Sequence, residues 1–124
     1  MTTYKEPAYL SDLLLVEVKT GWTKQRVTYA AGHPIRAGLV LANVGGKFVP
    51  LDVAASDGSE KARAVAAETV DATLAEVKGV AILRGAVVDA AALLWPAAMT
   101  GPQQAAAIEQ LEARGIVTTV TLAM

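Results

Sequence analysis

TYAAGHPIRAGLVLANVGGKFVPL, residues 28–51, is the stretch whose reading decides the fold. It joins three short apolar runs through turn signals at Gly32-His33-Pro34, Ala37-Gly38 and Gly45-Gly46. Glycine supplies the positive φ that tight turns demand, and proline presets φ beside it. Residues 39–42 and 48–51, split by the Gly-Gly pair, predict a β-hairpin. No catalytic pattern is embedded here. The stretch reads as a rigid β scaffold of small residues.

Working outward toward the N-terminus, residues 24–29 alternate as a strand, with Arg26 and Thr28 opposed to Val27 and Tyr29. Gly21-Trp22 makes a turn before it, Trp22 reads as a packing residue at the scaffold's edge, and residues 13–19 alternate loosely as a first strand. Residues 1–12 (MTTYKEPAYLSD) have neither helical nor alternating period and are interrupted by Pro7. They read as an arm, either a plain chain end or an extended segment docking on a partner by strand addition, anchored by Tyr4, Tyr9 and Leu10.

Toward the C-terminus, residues 52–59 form a polar loop ending in Asp57-Gly58-Ser59, whose acidic residues lack the alternation of a calcium loop. Residues 60–77 are ambiguous. Ala62, Val65, Ala66, Thr69, Val70, Thr73, Leu74 and Val77 recur at helical spacing, and alanine favours helix. Val65, Ala67 and Thr69 also alternate as a strand would. Residues 79–88 read as a strand pair or a strand bent at Arg84-Gly85, and residues 89–95 as a helical turn before the Trp95-Pro96 break. Trp95 reads as a cap on the core or a residue at a subunit seam, where aromatic side chains contribute large contact area.

The last helix is the best punctuated. Thr100 and Gln103 have capping-box spacing, Pro102 suits the first turn, and Gly115 suits a left-handed stop. Ile108, Leu111 and either Ala107 or Ala105 form its expected buried stripe, Ile116 meets Leu111 beyond the stop, and residues 116–122 follow as a strand.

Composition excludes several classes. The chain has 124 residues, one domain's worth, of which 53% are apolar and 5% aromatic. Its 11 basic and 12 acidic residues are scattered without the basic stripe of a nucleic-acid binder. The longest apolar run, residues 90–99, is broken by Pro96 and is far shorter than the roughly 18 residues a spanning helix needs. The first residues lack a signal-peptide layout. No membrane, nucleic-acid or export role is expected. Cysteine is absent, which removes disulfides, thiolate zinc sites and thiol catalysis. An alanine- and glycine-rich chain with little aromatic area gains by assembly, which buries further apolar surface.

Nothing assembles into an active site. His33 has no second His or Cys to join it, and Glu60, Glu68, Asp71 and Glu76 read as solvated charges. Gly46-Lys47 lacks the upstream glycine and the following hydroxyl residue of a phosphate loop, and no nucleophile-elbow or dinucleotide glycine pattern occurs. No enzyme activity, cofactor or metal is expected.

Five pieces in order carry a resemblance: VTYAAG at 27–32, AGLVLA at 37–42, GKFVPLD at 46–52, LRGA at 83–86 and LLWP at 93–96. Together they resemble the head decoration proteins of lambda-like tailed phages and prophages, over roughly residues 17–117. The resemblance implies a mainly β fold, tulip- or barrel-like, with strand rather than helix over residues 63–70, an extended N-terminal arm, and one C-terminal helix followed by a strand. It implies an arm, residues 1–12, that orders against the capsid through Tyr4, Lys5, Glu6, Pro7, Ala8, Tyr9 and Leu10, and a decoration domain over residues 13–124. It further implies a homotrimer, with Trp95 and Pro96 at a possible seam. Such a protein, made in the bacterial host cytoplasm, cements the major capsid protein at threefold sites on the outside of the expanded shell, against internal DNA pressure. The alternative reading is a small β-barrel that binds a ligand or, through a modified Lys47 at the hairpin edge, acts as a carrier.

Overall fold

The computed structural model describes residues 13–19, 21–96 and 99–119. In chain order the strands are β1 (Leu14–Glu17), β2 (Lys24–Tyr29), β3 (His33–Ile35), β4 (Val40–Val44) and β5 (Lys47–Pro50). They continue with β6 (Ala64–Ala66), β7 (Val70–Ala72), β8 (Val77–Ile82), β9 (Ala86–Asp89) and β10 (Ile116–Thr119). A 3₁₀ turn spans Ala90–Ala92, and helix α1 spans Gly101–Glu112.

The hairpin sits where the sequence places it. β4 and β5 pair antiparallel from Val44↔Lys47 to Leu41↔Pro50. Gly45 and Gly46 both hold positive φ, 62° and 89°, which a two-residue turn of matching twist requires. The hairpin supplies two of the five strands of a closed barrel in the order β2-β5-β4-β6-β8.

Strand alternation splits the barrel's side chains between two cores. Tyr29, Leu41, Phe48, Ala64, Ala66, Ala81 and Leu83 form one cluster and come from or directly follow all five barrel strands, so they fill its interior. The alanines leave room for the two rings. Val40, Ala42, Val65 and Ile82 point the other way, into a second cluster with Ala86 and Val88 of β9, Ile116 of β10, and Ala107 and Leu111 of α1. The barrel therefore serves as one wall of a second layer, made by α1 and the sheet β1-β9-β10.

Residues 63–70 hold no helix: they contain β6 and, after a three-residue break, the first residue of β7. β6 pairs β4 and β8, and β7 pairs β3. All three residues of β6 are buried because both of its faces are covered. The apparent helical period of this segment comes from that two-sided burial. One detail differs from the sequence reading. His33-Pro34 is strand, not turn. The turn ends at Gly32, and Pro34 faces Asp71 in a two-stranded sheet, where the missing N–H is tolerated. Of the two readings of residues 79–88, the bent one holds: β8 and β9 do not pair with each other, and the chain turns at Gly85 (φ 63°) to carry the run from barrel to second sheet.

α1 opens on a complete capping box. Gln103 N–H donates to Thr100 Oγ1 (3.2 Å) and Thr100 N–H to Gln103 Oε1 (2.9 Å). It ends where Gly115, at φ 82°, donates its N–H to the Glu112 carbonyl (2.9 Å). Ala107 and Leu111 face the core, Ile108 is half-buried and Ala105 is exposed. Gln110 fastens the helix to the barrel by accepting the Ala62 N–H at 2.6 Å. No helix among the described residues is long and apolar enough to cross a membrane.

Candidate interaction surface

The second sheet holds the first and last strands of the described chain. β1 runs antiparallel to β9, with Leu14 opposite Val88, and β10 runs parallel to β9, with Thr119 opposite Asp89. The chain therefore enters and leaves at the same end of the sheet, on strands that flank β9, about 10 Å apart. Residues 1–12, with Tyr4, Lys5, Glu6, Pro7, Ala8, Tyr9 and Leu10, lie outside the described residues.

Register assigns the sheet's two faces. Ala86 and Ile116 are buried and lie opposite each other, as Glu17 lies opposite Ala86. Val16, Val87 and Val117 form the neighbouring cross-strand row on the outer face. Val16 and Val117 are 50% and 44% exposed, and Val18, just past the end of β1, is 65% exposed. A bulge between Leu14 and Val16 leaves Leu15 exposed as well.

The family-like motifs meet in space. Residues 93–96 clip onto 38–40: Leu94 N–H donates to the Gly38 carbonyl (2.8 Å), and Val40 N–H to the Leu94 carbonyl (3.2 Å). Gly38 is required there, because its φ is +94° and a Cβ would stand 2.3 Å from the Ala92 carbonyl oxygen. Trp95 is half-buried against the second core, which fits its reading as a cap. Pro96 lines a shallow cleft of about 450 Å³ with His33, Val44, Asp52 and Asp57 among others. Gly85 presses on Trp22, whose ring also stacks under the Arg84 guanidinium at 5.6 Å.

The four carboxylates divide. Asp71 and Glu76 are exposed, as expected. Glu76 pairs with Lys47 at 2.6 Å, and that hydrogen bond and charge hold its carboxyl below the usual range. Asp71 is held low by hydrogen bonds from Thr73. Glu60 is half-buried and accepts the Gly58 N–H at 2.8 Å. Glu68 is not a solvated charge: it is half-buried and accepts the Val80 N–H of β8 at 2.6 Å. Asp57, in the loop after β5, accepts from the Ser59 hydroxyl and N–H, which hold its carboxyl low as well. Among the described residues no three His, Cys, Asp or Glu side chains stand together as a metal site. His33 sits exposed on β3 at the rim of the cleft.

One structural residue escaped the sequence. Thr23 is fully buried, and its hydroxyl donates to the Gly85 carbonyl (3.1 Å) while accepting the Lys19 N–H (3.2 Å). It ties the β1–β2 connection to the bend between the two sheets. Its partner lies sixty-two residues away, and no local pattern announces it.

The described residues present surfaces and sheet edges. Among families of known proteins, the one described as bacteriophage lambda head decoration protein D matches this chain over residues 3–116. No curated protein matches the chain.

Proposed function

This chain belongs to the bacteriophage lambda head decoration protein D family, and on that premise we propose that it cements the expanded shell from outside as trimers at threefold sites. The family is a structural one, so the protein decorates a phage capsid and resides in the virion. Its partner in this reading is the major capsid protein, and its task is to hold neighbouring capsid subunits against the pressure of packaged DNA. The observation that carries the reading is the extent of the family match, which runs from residue 3 through β1, the barrel, β9 and α1 to the first residue of β10. The arm is thus part of what is shared, and it is the segment assigned here to the shell, through strand pairing and the apolar contacts of Tyr4, Tyr9 and Leu10.

Selectivity for the expanded shell has a thermodynamic meaning. A ligand stabilises a state only by its differential affinity for that state, so a protein that binds the expanded lattice alone holds the shell expanded. The barrel interior is filled by Tyr29, Phe48, Leu41 and their alanine neighbours, and Lys47 is paired with Glu76, which gives the ligand-binding and carrier alternatives little support.

Co-sedimentation of the purified protein with capsids of its own phage, before and after expansion, tests the proposal. Saturable binding to expanded shells alone is the expected result. Binding to neither form overturns it.

A further inference from the structure

We infer that Asp57 is the residue at which this chain ages chemically, by isomerisation to isoaspartate, and that hydrogen bonds from Ser59 and to Glu60 hold the reaction back in the folded protein. The chemistry is independent of the decoration reading, which gives it a purpose. In a virion no synthesis replaces a damaged copy, so this loop bears on how long the protein lasts there.

An aspartate isomerises when the backbone nitrogen of the next residue attacks its side-chain carbon Cγ. Any Cβ on that next residue hinders the attack, so glycine there makes the susceptible pair. The chain has one such pair, Asp57-Gly58. Its other aspartates precede Leu13, Val53, Ala72 and Ala90, and its single asparagine, Asn43, precedes Val44. In the first step the bond from Gly58 N to Asp57 Cγ forms, and one carboxyl oxygen leaves as water with the amide proton and the carboxyl proton. Water then opens the resulting succinimide. Addition at Cγ restores aspartate. Addition at the main-chain carbonyl carbon leaves the backbone running through Cβ and Cγ, one carbon longer. Asp57 is exposed to the water that the second step consumes.

In the fold both reacting groups are engaged. Asp57 Oδ1 accepts the Ser59 N–H at 3.0 Å and the Ser59 hydroxyl as well. The Gly58 N–H, on the attacking nitrogen, donates to Glu60 Oε1 at 2.8 Å. The succinimide would forfeit all of this. Its nitrogen carries no hydrogen, so the bond to Glu60 disappears. Its carbonyl carries no charge, so the bonds from Ser59 lose their charge assistance. The reactive carboxyl is also the neutral one, and the two Ser59 donors favour the charged form, holding the carboxyl below its usual range. The clamp is itself anchored: Ser59 is 7% exposed, and its carbonyl accepts the Asp52 N–H at 2.7 Å at the neck of the loop. Asp71 supplies an internal control, because it accepts the Thr73 N–H at 3.0 Å in the same arrangement but precedes alanine.

Incubation of the full chain and its Ser59→Ala and Glu60→Ala variants tests this, at neutral pH and a temperature where circular dichroism shows all three folded. Isoaspartate at residues 57 and 71 is followed by peptide mapping. Each variant is expected to isomerise at residue 57 at least about tenfold faster than wild type, the factor that one hydrogen bond to a charged group carries. Residue 71 is expected to stay slow in all three. Should a substitution unfold the protein, native wild type is compared with wild type held unfolded in guanidinium chloride, and the native protein is expected to be slower by at least the same factor. A folded variant that isomerises no faster than wild type overturns the inference, as does a native protein that matches the unfolded chain. A slower Glu60→Ala protein also overturns it, since Glu60 would then be the base that draws off the Gly58 proton. So does an unfolded chain in which another aspartate isomerises first. Binding to shells enters none of these readings, so failure of the decoration reading is told apart from failure of this one.

Discussion

Tyr29 shows how much of this fold hangs on single groups. Its hydroxyl donates to the Val80 carbonyl at 2.7 Å, the same carbonyl accepts the Ala67 N–H at 3.0 Å, and the Val80 N–H donates to Glu68. Burial first, and the Glu68 charge second, push the phenol well above its ordinary range. The unfolded phenol ionises near pH 10 while the folded one keeps its proton. The unfolded state therefore binds fewer protons above that pH, and stability present below it is lost as pH rises, by up to about 1.4 kcal/mol per pH unit. Tyr29→Phe is expected to cost about 1 kcal/mol at neutral pH, since the carbonyl keeps its second donor. It should also remove most of the alkaline limb. Urea melts from pH 7 to 11 separate the two effects, and an unchanged limb would show that Tyr29 does not cause it. Gly38 gives a second test at this scale. Gly38→Ala meets both the positive φ and the Ala92 carbonyl, whereas Gly32→Ala, at φ +112° with nothing within 4 Å, meets strain alone. About 1–3 kcal/mol is expected at Gly32 and clearly more at Gly38. Equal losses in thermal melts would mean that the clip at 93–96 yields freely.

At the scale of elements, what was legible in the sequence follows the range of the forces. The hairpin and α1 were readable because their determinants are local: a Gly-Gly turn, and a Thr100–Gln103 box four residues long. Thr100→Ala is accordingly expected to lower stability by about 1 kcal/mol, with Thr100→Ser restoring most of it. A loss below a few tenths would mean that packing of Ala107 and Leu111 holds the helix start without its cap. β6 was readable only through resemblance, because a strand covered on both faces has no alternation to display. Glu68 and Thr23 were misread or missed since Val80 and Gly85 are supplied by other elements. The outer face of the second sheet was invisible for the same reason, as Val16, Val87 and Val117 become neighbours only through register. The loops carry a separate signature. Asp57, Asp71 and Glu76 have carboxyls held low by hydrogen bonds and, for Glu76, by Lys47. Their contribution is present above the ordinary carboxylate range and is lost as pH falls below about 4. Melting temperature should therefore be flat from pH 7 to 5 and fall below that range. Removing Asp71 and Glu76 together should shallow the fall.

For the whole molecule, the boundary that the proposal turns on lies between residue 12 and Leu13. Leu13 is fully buried in the second core, one residue before β1 begins. The proposal gives the segment before it to the shell, so folding and capsid binding should come apart at this point in the chain. Deleting residues 2–12 is expected to leave a folded, soluble protein whose melting temperature stays close to that of the full chain and which no longer sediments with expanded shells. Leu13→Ala is expected to do the reverse. It removes core volume at a cost of about 2–5 kcal/mol, yet at a temperature where it remains folded it should still bind shells, because its arm is intact. Calorimetry and co-sedimentation on the two variants give four readings. A truncation that binds shells undiminished would transfer the capsid contact from the arm to the folded body. A truncation that unfolds would make the arm part of the core. If Leu13→Ala, folded, lost shell binding along with stability, the two functions would share one structural unit, and the sheet that holds β1 and β10 would be where they join.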